Sequence, residues 1–134
     1  MTLRYLLDTN ICIYIAKKKP LAVSQKLEKM KVGEVAMSAI TYGELLFGAE
    51  KSQFAEKTKK ILEELTTLIP PLELTLKASE HYAHIRALLE AKGKPIGNND
   101  LWIAAHALAL NTTLVTNNLK EFSRVPYLKI ENWA

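Results

Sequence analysis

The chain has 134 residues, 49% of them hydrophobic and 24% charged, with a net charge of +4. That is the length of one ordinary domain (1–134) with a globular balance, which excludes disorder and fibrous repeats. A single cysteine, Cys12, excludes an intramolecular disulfide and a cysteine-built zinc site and favours a reducing compartment, the cytoplasm, while no apolar run reaches the ~18 residues a membrane span needs.

Arg4–Leu7 reads as a short buried strand that ends at Asp8-Thr9-Asn10, any of which can cap the helical stretch Ile11–Lys18. Pro20 suits a first helical turn, and Leu21, Val23, Leu27 and Met30 carry the apolar spacing of a second helix. Glu34–Ser38 is the second strand. Helices follow over Ala39–Lys51 and Gln53–Thr67, and Pro70-Pro71 must end the latter, with a short third strand expected near Thr67–Ile69. Leu76–Ala91 is amphipathic and closes at Lys92-Gly93, a basic end before a C-cap glycine. Asn98-Asn99-Asp100 is expected to cap a helix running to Leu110. Thr113–Thr116 is the fourth strand and Tyr127–Ile130 the fifth. Strands alternating with helices predict a three-layer α/β/α domain around a central parallel sheet of four to five strands.

The acids are selective. Twelve of fourteen are Glu and only two are Asp, Asp8 and Asp100. A chain sparing with Asp places it where a short, stiff carboxylate is required, as a cap, in a turn or at a metal. Asp8 falls at the carboxyl end of the first strand and Thr116 at that of the fourth, and open parallel sheets bind ligands beyond those ends. Asp100 lies in a first helical turn, where the macrodipole favours a carboxylate. Thr41, Glu44 and Gly48 form a narrow polar and small stripe beside the apolar stripe of Tyr42, Leu45 and Leu46. Glu44 therefore faces either solvent or a polar pocket.

Converging carboxylates repel each other unless a pKa rises or a divalent cation binds. Such hard oxygens suit Mg²⁺, with Mn²⁺ similar. No His-Glu-x-x-His motif and no phosphate-cradling glycine loop is present. Residues 1–34 hold seven basic side chains against three acids, and the remaining hundred balance to zero. That lopsided end suits a polyanionic partner or a solvated lysine face, and Lys17, Lys18 and Lys19 are the candidates for guiding a phosphate backbone.

Leu6-Leu7-Asp8-Thr9-Asn10, Ser38-Ala39-Ile40-Thr41-Tyr42-Gly43-Glu44-Leu45, Ile96 to Ala105 and Leu114-Val115-Thr116-Asn117-Asn118-Leu119-Lys120-Glu121-Phe122 together resemble the PIN-domain ribonucleases. More narrowly they resemble the VapC toxins of VapBC toxin–antitoxin pairs. The resemblance covers essentially the whole chain in order and spacing. It implies a PIN-like fold and a Mg²⁺-dependent (or Mn²⁺-dependent) endoribonuclease, a hydrolase of phosphodiester bonds in structured RNA. The expected substrate is tRNA, with the initiator tRNA anticodon loop foremost. It further implies a homodimer, a VapB-type antitoxin, a higher hetero-oligomer with it, and contact with DNA only through that antitoxin.

By the same resemblance Asp8, Glu44 and Asp100 match the family's acidic metal-site residues. Thr9 and Thr116 match polar residues around the metal. Glu121 stands where some relatives carry a fourth acid, and Asn117 and Asn118 stand where others do. The competing reading is a catalytically silent PIN-like module that binds RNA or protein. A phosphatase of the haloacid dehalogenase type needs a second Asp two residues after the first, where this chain has Asn10.

Overall fold

The computed structural model describes residues 2–134. Five strands, β1 (Tyr5–Leu7), β2 (Val35–Ser38), β3 (Pro71–Leu72), β4 (Thr113–Val115) and β5 (Ile130–Glu131), form one sheet in the order β3-β2-β1-β4-β5. Every pairing is parallel. Seven helices connect them: α1 (Thr9–Lys17), α2 (Leu21–Glu28), α3 (Ala39–Lys51), α4 (Ala55–Leu68), α5 (Leu76–Ala91), α6 (Asn98–Leu110) and α7 (Leu119–Phe122).

The central strands are buried on both faces, so they read as continuous apolar runs rather than alternating ones. Alternation instead sorts residues between two cores. Tyr5, Leu7, Val35, Met37 and Val115 point to one side and pack with α1, α2 and α4. Leu6, Ala36 and Leu114 point to the other and pack with α5, α6 and Phe122 of α7. Each fully buried Leu or Ile contributes about 1.5–3 kcal/mol of transfer free energy, and Leu6, Leu7, Ile11, Ile103 and Leu114 are all of that kind. Ala104, Ala105 and Ala107 let α6 lie close against the sheet. Trp133 completes the first core with its ring edge on Tyr5, centroids 5.3 Å apart.

Several boundaries differ from the sequence expectation. The third strand is Pro71–Leu72, not Thr67–Ile69, because α4 continues through Thr67 to Leu68 before the diproline stops it. This two-residue strand lies at the sheet edge, where a proline without an N–H is tolerated, and its register is set by Met37 and Ser38. α1 begins at Thr9 and α2 at Leu21, with Pro20 just outside. β5 forms at Ile130–Glu131, beyond Tyr127, which is exposed with a positive φ of 66°. α7 was not expected at all. Asn98 and Asn99 do not cap α6: Gly97 occupies the N-cap position and makes no side-chain bond. Among the described residues no helix is long and apolar enough to cross a membrane.

Candidate functional site

The sheet reverses its direction of strand addition at β1, with β2 on one side and β4 on the other. Ligand crevices of open α/β sheets form at such a point, outside the carboxyl ends of the strands. Asp8 and Thr116 are the first residues beyond those ends. The Asp8 amide donates to the Val115 carbonyl at 3.0 Å, which ties the two exits together.

Asp8 does two jobs from one position. It is the N-cap of α1, with Oδ1 accepting the Ile11 amide at 3.0 Å, and it lines the crevice. It is only 6% exposed. Burial raises its pKa, the nearby Glu44 carboxylate adds to that, and hydrogen bonds from Thr116 and the Ile11 amide oppose it. Thr116 is fully buried, and its hydroxyl accepts the Asn118 amide at 2.9 Å, turning the chain into α7.

Asp100 enters from the first turn of α6 and is half-buried. Burial first, then the charges of Glu121, Asp8 and Glu44, push its pKa up to about 6. The carboxylates therefore sense one another. With Thr9, Asn10, Asn118 and Phe122, the carboxylates of Asp8, Glu44 and Asp100 line a recess of about 140 Å³. None of these lining residues is basic.

Glu44 is held from two neighbouring elements. Its Oε1 accepts the Thr9 hydroxyl at 2.6 Å, and its Oε2 accepts the Asn99 side-chain amide at 3.4 Å. Thr9 Oγ1 also lies 3.2 Å from the hydroxyl of the fully buried Thr41. A hydroxyl has one hydrogen, and the shorter contact is with the carboxylate. Thr9 therefore gives its proton to Glu44, and Thr41 donates to the Thr9 oxygen. Three elements, α1, α3 and α6, fix one carboxylate.

The remaining sequence candidates lie further out. Glu121 accepts the Asn118 side-chain amide at 3.1 Å and acts on Asp100 through its charge rather than by lining the recess. Lys17, Lys18 and Lys19 are exposed at the far end of α1, about 13 Å along a nine-residue helix axis from the cap. His106 is fully buried with Nδ1 2.9 Å from Ser38 Oγ, and burial lowers its pKa, so it packs as a neutral ring away from the crevice. Sequence reasoning missed the Asn99–Glu44 contact, because the two asparagines read as caps. It also missed Phe122, which sits on an unexpected helix. The Thr41–Glu44 stripe was the available signal for the Thr41 contact.

Among the described residues no three His, Cys, Asp or Glu side chains stand close enough to form a closed ion-holding group. The donor chemistry still fits a hard cation. Two mutually repelling aspartates, a carboxylate secured beside them and a lining without positive charge suit an ion such as Mg²⁺. That ion keeps several waters and takes one or two protein carboxylates.

The family model for the PIN domain matches residues 5–127. The chain is 42% identical over 132 residues to Ribonuclease VapC2 of Haemophilus influenzae, covering 98% of this chain and 99% of that one. It is 39% identical, with the same coverage, to the tRNA(fMet)-specific endonuclease VapC of Shigella flexneri. Among solved structures, the VapBC2 complex of Rickettsia felis bound to a promoter DNA fragment superposes with a TM-score of 0.92 at 42% identity. That match covers 98% of this chain and all of the other. DNA-bound VapBC of Salmonella typhimurium gives 0.93 at 38% identity, covering 99% and 100%.

Proposed function

The chain belongs to the PIN-domain family as a VapC-type ribonuclease, and we propose that it is a divalent-metal-dependent endoribonuclease that cuts structured RNA. Its first expected substrate is tRNA, with the initiator tRNA anticodon loop foremost, and a VapB-type antitoxin holds it in check. The supporting observation is the crevice itself: Asp8, Glu44 and Asp100, brought from β1, α3 and α6, line one recess without a basic neighbour. The relative named as a tRNA(fMet)-specific endonuclease supports the choice of substrate. The VapBC complexes among the solved structures, some of them DNA-bound, support the antitoxin and the hetero-oligomer.

Phosphodiester hydrolysis needs an in-line water and stabilisation of charge on the phosphate oxygens. Asp8, Glu44 and Asp100 would hold the ion directly or through its waters, and when bound it would lower the pKa of a water and neutralise phosphate charge. The chain's own residues do the rest. Thr9 and Asn99 hold the Glu44 carboxylate at a fixed orientation, so that it orients a water without losing side-chain freedom during the reaction. Asp100, with a pKa near 6, is ionised at neutral pH and ready to accept a cation. Thr116 fixes the loop that carries Asn118 to the crevice rim.

The test is to map cut sites on total tRNA with wild-type protein and Asp8→Asn, each with and without EDTA. Discrete cuts that vanish with EDTA and in the variant are expected. Folded wild-type protein that binds tRNA but cuts none of it in Mg²⁺ or Mn²⁺ would replace this reading with that of a silent binding module.

A further inference from the structure

A second recess opens beside the carboxylate crevice and shares two of its walls. Its volume is about 660 Å³, and it is lined by Thr9, Ile40, Gly43, Glu44, Phe47 and Asn99. Thr9 and Glu44 belong to both recesses. Phe47 projects from the middle of α3 and is 63% exposed. A single exposed apolar side chain calls for no explanation. This one lines an open recess, one helical turn from a carboxylate bonded from neighbouring elements. Lys51 stands a further turn along α3 with Nζ over one face of the Phe47 ring, 5.0 Å from its centroid.

Those groups are what a single-stranded nucleotide requires. Proteins recognise unstacked RNA bases by stacking them on an aromatic face and pairing their edges with polar side chains. Phe47 supplies the face opposite Lys51. Asn99 supplies an amide with both a donor and an acceptor, and Lys51 supplies a cation for the backbone.

We propose that the Phe47 recess receives the nucleobase next to the scissile phosphodiester. The base stacks on Phe47 with Asn99 at its edge and Lys51 near the following phosphate. The inference rests on the ribonuclease reading above and extends it to substrate selection: the pocket favours a cut beside a base that is already unpaired, as in a loop.

The experiment compares wild type with Phe47→Ala, Phe47→Leu and Phe47→Trp on an in vitro transcribed tRNA pool, with Asp8→Asn as the control and light scattering for oligomeric state. Base–aromatic stacking is lost on truncation, so kcat/KM falls roughly 5- to 100-fold in Phe47→Ala. Phe47→Leu falls similarly, because bulk does not replace a π-face. Phe47→Trp stays within about 3-fold of wild type, and melting temperatures stay together because the side chain is exposed. Equal cleavage by all variants, or Leu performing as well as Trp, overturns the stacking role. A dimer that becomes monomeric in Phe47→Ala also overturns it, since a second copy then covers the recess. If cleavage depends on Asp8 but not on Phe47, only this inference fails. If Asp8→Asn cleaves as wild type does, the ribonuclease site is itself misplaced and both readings fall.

Discussion

The charge on Asp100 should destabilise the metal-free protein at neutral pH, and Asp100→Asn is the direct probe. Burial and the carboxylates of Glu121, Asp8 and Glu44 raise its pKa from 3.8 to about 6 in the folded chain. In the unfolded chain it returns to its ordinary value. The folded state therefore binds the proton more tightly. The stabilisation this gives is complete below pH 3.8, declines between there and about 6, and is absent at neutral pH. The nominal size is ~3 kcal/mol, but the side chain is only half-buried, and solvent screening reduces it to about 1 kcal/mol. Removing the charge should raise the melting temperature of EDTA-treated protein by roughly 3–5 °C at pH 7.5 and leave it unchanged at pH 3.5. Adding Mn²⁺ should then reverse the order, because only the wild type gains a ligand. Calorimetry of both proteins across that pH range checks this. A gain from Asp100→Asn that persists at pH 3.5, or no gain at pH 7.5, refutes the proposed crowding of negative charge.

Two further expectations concern one residue beside the crevice and a cluster at the far end of α1. Thr41→Val should loosen the Thr9–Glu44 contact and weaken Mn²⁺ binding about 10-fold, the usual effect of removing a group that orients a metal-site residue. Thr41→Ser should restore it, and isothermal titration of the three proteins distinguishes this from a loss of fold. Changing Lys17, Lys18 and Lys19 together to Ala should weaken tRNA binding and reduce the slope of log K against log salt by about two. An unchanged slope in a filter-binding series would place the phosphate contacts on another face.

The sequence disclosed most where a short segment carries its own reason. Leu6-Leu7-Asp8 announces a buried strand and the polar group at its end, and Thr116 repeats that pattern on β4, so the sheet centre and the crevice were readable together. Edges were less legible. β3 owes its two residues to pairing with Met37 and Ser38, a long-range contact that local propensity does not contain. The asparagines before Asp100 satisfied the statistics of capping, yet Gly97 takes that position and Asn99 is left to meet Glu44 from another element. Phe47 could not be told from an ordinary core aromatic at helical spacing, because only the fold decides which side of α3 is left uncovered.

The double duty of Asp8 has a consequence for how this protein can be switched off. One oxygen is engaged by the first turn of α1, and asparagine serves that hydrogen bond about as well as aspartate does. Exchanging the other oxygen for an NH₂ replaces a negatively charged acceptor with a neutral donor, a change of one heavy atom at the centre of the chemistry. Alanine would lose the helix start along with the charge. On the ribonuclease reading proposed above, Asp8→Asn disarms the molecule without dismantling it, leaving a folded chain, one codon away, that can still occupy the same partners.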